Sequence, residues 1–222
     1  MDFTPETIEA IKTFVLKTDD ISKEIYRIVK PSLNCHSTAV LNFMNALKLY
    51  YEWTPTQDTF DFIDIVIDDW SAMDSAEINI KNQTTSTLAL WPGWRLKSFH
   101  YARRKITKAD WRARWLAAGS ACDWTGASKT SLIALKNSPI WKRLGEGIGG
   151  YNDTYGLPHP PFAIGSDMDW VEVTEAGCKR AGLDVPKIPL SPFSPETQKI
   201  LPLIMKELKE TIKQCRVQRK RK

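Results

Sequence analysis

Histidine and cysteine are scarce in this chain of 222 residues: there are three of the first and four of the second. Cys35, Cys122, Cys178 and Cys215 lie far apart and form no CxxC pair, and His36, His100 and His159 do not cluster. The ligand spacing of a structural zinc site is therefore absent, and so is a disulfide framework, which belongs to shorter and more cysteine-dense chains. No apolar run approaches the ~20 residues of a membrane helix. The opening residues Met1-Asp2-Phe3-Thr4-Pro5 lack both the basic segment and the apolar run of a signal peptide. There is no Walker A sequence and no GxSxG elbow, so neither P-loop phosphate chemistry nor an α/β-hydrolase nucleophile has support. These absences lead to the expectation of a protein made in a reducing cytoplasm, off the membrane, with no catalytic residues, metal or cofactor.

What is present is an ordinary globular composition, 42% hydrophobic and 26% charged, with two unusual entries: nine Trp and a net charge of +5. The charge is unevenly distributed. Residues 1–90 hold seven Lys/Arg against fourteen Asp/Glu, and residues 91–222 hold twenty-four against twelve. Seven of the nine Trp fall at position 91 or later. This asymmetry suggests two regions with different surroundings and two different partners.

The first third reads as helices. Thr4-Pro5 is an N-cap followed by proline at the first helical position, with Ile8, Ile11 and Val15 on one face. Asp19 or Asp20 caps a second helix that Pro31 stops. A third runs from about Ser37 to Trp53, with Val40, Phe43, Met44, Leu47 and Tyr51 as its stripe. Over 58–70 the β-branched residues favour strand, but Asp58, Asp61, Asp64 and Asp68 recur at three or four residues, which favours helix. The polar stretch from Lys81 to Thr87 reads as a linker or long surface loop.

Beyond Trp91 the pattern changes. Arg95 to Arg103 alternates loosely as a strand, and Thr107 to Asp110 resembles a capping box for a helix bearing Trp111, Trp115 and Leu116, with Gly119 at its end. Ser131 to Leu135 is a short apolar run, and Ser138-Pro139 opens a brief helix closed by Gly145. Asp169 to Val173 is a strand candidate, and Thr174 caps a helix to Gly182. Four prolines stiffen 186–195, and Ile200, Ile204, Leu208 and Ile212 mark a last helix with a basic end. The fold class expected is α+β, mostly α. It comprises an acidic helical bundle over 1–80, a polar linker over 81–90, a Trp-rich basic α+β region over 91–185, and a Pro-rich connector with an amphipathic C-terminal helix over 186–222.

Each chemical signal has a plain alternative. Gly145 to Gly150 matches GxGxxG, but a helix precedes it where a dinucleotide site needs a strand, so a turn-forming loop is expected. The acidic set Asp58, Asp61, Asp64, Asp68 and Asp69 reads as a solvated helix face rather than a Mg²⁺ site, or as a docking face for a basic partner. His36 beside Cys35 reads as packing at a helix start, not a catalytic dyad, and His159 between prolines reads as a loop contact. The tail residues Arg216, Arg219, Lys220, Arg221 and Lys222 suit a phosphate backbone or an acidic partner. Arg112 and Arg114, interleaved with Trp, suit the same partners by charge and stacking, although Trp at helical spacing is more often core.

One series of motifs is familiar as a set. Pro92-Gly93-Trp94-Arg95-Leu96 is followed by Asp110-Trp111-Arg112-Ala113-Arg114-Trp115 and Ala117-Ala118-Gly119. Then come Leu132 to Trp141 (LIALKNSPIW), Pro158-His159-Pro160-Pro161-Phe162, Gly165-Ser166-Asp167-Met168, Val171 and Ala181-Gly182-Leu183. In order and spacing this series, over about 91–185, resembles a region of bacteriophage and prophage head morphogenesis (minor head) proteins. Asp167 stands where that pattern has Gly, and Ala118-Gly119-Ser120 replaces Ala-Gly-Gly.

The resemblance implies a non-enzymatic virion or assembly protein whose partners are portal and capsid proteins. It would work in the bacterial host cytoplasm during assembly and in the virion head, with packaged DNA as a candidate contact of the basic tail and oligomers allowed. It marks Trp94, Trp111, Trp115, Pro139, Trp141, Pro160, Pro161, Phe162, Gly165 and Met168 as motif residues, read as interface or core anchors. The alternative is a nucleic-acid-binding accessory protein that uses the basic C-terminal half.

Overall fold

A computed structural model describes residues 4–51, 56–98, 108–124, 131–166 and 168–187. The chain divides into two compact units, Met1–Pro186 and Lys187–Lys222. The expected C-terminal helix, the basic tail and residues 99–107 lie outside the described residues.

The first unit is α+β and mostly α. Helix α1 (Pro5–Leu16) starts as the sequence directs: the Thr4 side chain accepts from the Thr7 backbone N–H at 3.3 Å, with Pro5 next in line. Helix α2 (Asp20–Val29) begins in a capping box in which Asp19 accepts from Ser22 N–H at 2.6 Å. It gives way to a 3₁₀ turn at Lys30–Ser32 around Pro31. Helix α3 (His36–Tyr50) buries Ala39, Phe43, Ala46 and Leu47.

Helix α4 (Gln57–Lys81) is the central rod of the bundle. The five successive residues Ile63, Asp64, Ile65, Val66 and Ile67 are all buried, and five residues sweep more than a full turn. A helix buried all round loses its amphipathic signature, which is why this stretch mimics a strand in sequence. Phe14 packs edge-on to Phe62, and Phe43 lies 5.5 Å from the Trp70 ring. The Trp70 indole N–H donates to the Phe14 carbonyl at 3.2 Å.

The expected linker over 81–90 is not one. Lys81 is the last residue of α4, and Thr85–Leu90 form a further helix, α5. The polar residues read as loop are its cap: Thr84 and Thr87 each bond the other's backbone N–H, at 3.1 Å and 2.7 Å. The bundle and the Trp-rich region accordingly belong to one unit.

Three antiparallel strands follow in the order β2-β1-β3: β1 (Gly93–Ser98), β2 (Ile133–Leu135) and β3 (Met168–Val173). Trp94 pairs with Glu172 and Leu96 with Trp170. Trp94 and Trp170 are therefore diagonal neighbours on one face, and their rings stack at 3.7 Å and 9°. Helices α6 (Lys108–Ser120) and α7 (Ile140–Gly145) cover that face, with Trp111, Trp115, Trp141 and Phe162 completing an aromatic core. Gly119 lies inside α6, one residue before its end, and does not close it.

Helix α8 (Glu175–Arg180), capped by Thr174 as expected, lies over the opposite face. A Cβ at Gly93 would sit 2.5 Å from the Cys178 sulfur, so glycine is what lets α8 approach β1.

Candidate functional site

The residues carrying the resemblance come together. Trp94, Trp111, Trp115, Trp141, Phe162 and Met168 share one buried cluster, although 74 positions separate the first from the last. The Trp141 ring lies 5.3 Å from Trp115 and 5.6 Å from Trp170, and its indole N–H donates to the Leu135 carbonyl at 2.8 Å. Pro160, Pro161 and Gly165 are buried as well, and the Pro160–Pro161 peptide bond is cis. Of the ten motif residues, Pro139 alone is exposed. The other nine build the interior and do not offer a contact surface.

Arg114 requires a correction. Expected as a contact for nucleic acid or an acidic partner, it is only 6% exposed. Its two terminal nitrogens donate to the two carboxylate oxygens of Asp153 at 2.8 Å each, and the guanidinium lies 4.0 Å from the Tyr151 ring and 5.3 Å from the Trp111 ring. The physical reason is helical phase: Trp111, Arg114, Trp115 and Ala118 recur at the spacing of one buried face. Arg112 is exposed on the other side of α6 and keeps its expected accessibility. Residues Arg216, Arg219, Lys220, Arg221 and Lys222 lie outside the described residues.

The acidic stripe is also not the solvated face expected. Asp58 is exposed and Asp61 and Asp68 are half-buried, but Asp64 and Asp69 are buried. Asp69 is 1% exposed, accepts from the Tyr155 hydroxyl, and accepts from the Gly165 backbone N–H at 3.0 Å. A carboxylate withdrawn from water in this way needs such charge-assisted donors. His36 Nε2 lies 3.5 Å from Asp64 and 3.4 Å from Asp68, so the histidine is turned onto α4 and away from a nucleophile role with Cys35. The Cys35 thiol is fully exposed and held below its usual range by the Thr38 hydroxyl and backbone N–H.

Asp69 and Arg114 together define a strap over residues 145–166. It leaves α7 at Gly145, where a Cβ would meet the Leu157 carbonyl at 1.8 Å, and turns through Gly147 at φ +71°. Asp153 ties it to α6; Tyr155 and Ile164 enter the core of the bundle; Lys12 donates to the Asn152 carbonyl at 2.8 Å. The GxGxxG letters are thus a turn-forming loop, as expected, and His159 Nδ1 only donates to the Pro160 carbonyl at 2.8 Å.

A second polar node fixes the sheet. The side chain of Lys136, from the LIALKNSPIW motif, is almost fully buried. It reaches Gln83 Oε1 at 2.6 Å and Glu172 at 2.7 Å, and its ammonium lies 5.3 Å from the Trp94 ring centroid. Asp153, Tyr155, Lys136 and Glu172 were not singled out from the sequence as polar partners. Their signal is weak because each partner lies tens of residues away.

Among the described residues no group of three His, Cys, Asp or Glu is placed to hold a metal ion, and no helix is long and apolar enough to cross a membrane. Basic charge on the described part of 91–187 is modest, eleven Lys/Arg against eight Asp/Glu, so most of the excess of the basic half falls outside the described residues. Comparison with family models, curated proteins and solved structures finds no match for this chain.

Proposed function

We propose that this chain is a bacteriophage or prophage head-morphogenesis protein that works without catalysis, through protein–protein contacts with portal and capsid proteins. It acts in the bacterial host cytoplasm while heads assemble. The observation that supports this reading is the convergence of the motif series. Residues that resemble the family in order and spacing, from Trp94 to Met168, are also the residues that meet in one aromatic core. A chance resemblance has no reason to select side chains that pack on each other across a fold. The reading gives the motif a role in shape, and leaves contact with other head proteins to the exposed residues around it.

The test is fractionation. A lysogen encoding a tagged copy of the chain is induced, and heads and assembly intermediates are separated on a density gradient. The chain is expected in the fractions that hold portal and capsid protein. Its restriction to the soluble pool while heads form normally would overturn the reading.

A further inference from the structure

The aromatic core buries more N–H donors than the acceptors around it take up. The Trp141 indole donates to the Leu135 carbonyl at 2.8 Å, and the Trp94 indole to Glu172 at 3.4 Å. The indole N–H groups of Trp111, Trp115 and Trp170 are buried with no acceptor among the described residues, and so is the Nε–H of Arg114. A donor buried without an acceptor loses its hydration and gains nothing for it. Native interiors therefore pair such groups with protein or with ordered water.

Two of these four donors adjoin. Trp111 and Arg114 are one turn apart on the buried face of α6, 1% and 6% exposed. The guanidinium carbon lies 5.3 Å from the centroid of the Trp111 ring. Both terminal nitrogens of Arg114 are spent on Asp153, which leaves Nε as the guanidinium nitrogen without a partner. The Trp115 and Trp170 rings pack on other aromatic rings, whereas Trp111 meets a second unpaired donor.

We propose that Trp111 Nε1 and Arg114 Nε bind one ordered water between them, where the strap over 145–166 meets α6. Two hydrogen bonds of about 2.9 Å reach across roughly 5.8 Å, which covers the spacing of the two groups. The pair consists of donors only, so it calls for an acceptor. A water offers a lone pair to each, and two polar partners are the least that hold one inside a protein. An anion is the wrong acceptor. Arg114 and Asp153 already cancel, so a chloride here would be a buried charge with no counter-charge. An apolar ligand would leave both donors as they are. The water gives the ion pair that ties the strap to α6 a third member, one that fixes the guanidinium from its Nε side.

The test uses the full chain in solution, labelled with nitrogen-15. A cross-peak between bulk water and the Trp111 indole proton is expected, with the sign of a long-lived bound molecule. The Trp141 indole, committed to the Leu135 carbonyl, should show none. Relaxation dispersion of the solvent oxygen-17 signal then counts the waters held inside. Trp111→Phe keeps a ring and deletes the N–H; Arg114→Lys keeps a cation for Asp153 and deletes Nε. Each should lose one long-lived water, and the double variant should also lose one, because the water is shared. Absence of the Trp111 cross-peak overturns the proposal without recourse to any variant. So does an unchanged count in either single variant, or a loss of two in the double. A Trp111 indole resonance that moves with sodium chloride but not with sodium sulfate would make the site an anion's, and likewise overturns it.

Discussion

Arg114 and Asp153 face each other in the interior with two parallel hydrogen bonds of 2.8 Å, across 39 positions of sequence. Both side chains are below a tenth exposed, so each holds the other's charge out of water. Removal of one partner strands the other, whereas removal of both does not. Arg114→Ala and Asp153→Ala should therefore each cost about 3–5 kcal/mol, and the double variant should cost much less than their sum. Denaturant unfolding of the four proteins measures the coupling.

Tyr155 should behave as a hinge pin between the strap and the bundle. Tyr155→Phe keeps the ring in the core and deletes the hydroxyl that donates to buried Asp69. The expected loss is about 1.5–3 kcal/mol, because the hydrogen bond is to a charged group. In an Asp69→Asn background the same change should cost less.

Gly93→Ala should destabilise by about 1–3 kcal/mol, since its methyl meets the Cys178 sulfur. Cys178→Ala removes the sulfur and should restore part of the loss. The Ala134 carbonyl, 3.1 Å from the same Cβ position, keeps the rescue incomplete. Thermal melts of the single and double variants distinguish this contact from a general intolerance of the strand.

Asp169 gives a pH signature. Burial raises its carboxyl above the usual aspartate range, against a smaller opposing effect of the hydrogen bond from Trp170 N–H at 2.6 Å. The folded state thus holds this proton to a higher pH than the unfolded chain does. Its contribution to stability falls as pH rises from the ordinary aspartate range through the folded value, and is flat above. Asp169→Asn should raise the melting temperature at pH 7, and the gain should shrink as pH approaches 3.

Much of the fold could be read along the chain because caps are local. Thr4, Asp19 and Thr174 bond backbone N–H groups three residues on, and Pro5 beside Thr4 reinforces the first of these. Thr84 escaped because a threonine-rich capping box has the composition of a loop. The acidic face of α4 was misread for a different reason. Asp64 is in helical phase with Asp61 and Asp68, which stay half-buried, and α3 sets its His36 against Asp64 from outside the helix. Asp69 depends likewise on Tyr155 and Gly165, about ninety residues later, which no local pattern announces.

Arg114 is the instructive case at the candidate site. Its phase with Trp111 and Trp115 is visible in the sequence and points inward. Its charge points outward and its phase inward, and phase decides when a carboxylate is waiting inside. Of the basic contacts expected, Arg112 is the one that the described residues leave at the surface.

The proposed function is tested most directly by deletion. A lysogen lacking the gene for this chain is induced, and its particles are counted by electron microscopy beside a complemented strain. The account predicts that capsid and portal proteins accumulate normally while complete heads are lost or aberrant, with recovery on complementation. A normal yield of well-formed, DNA-filled heads from the deletion strain would contradict it.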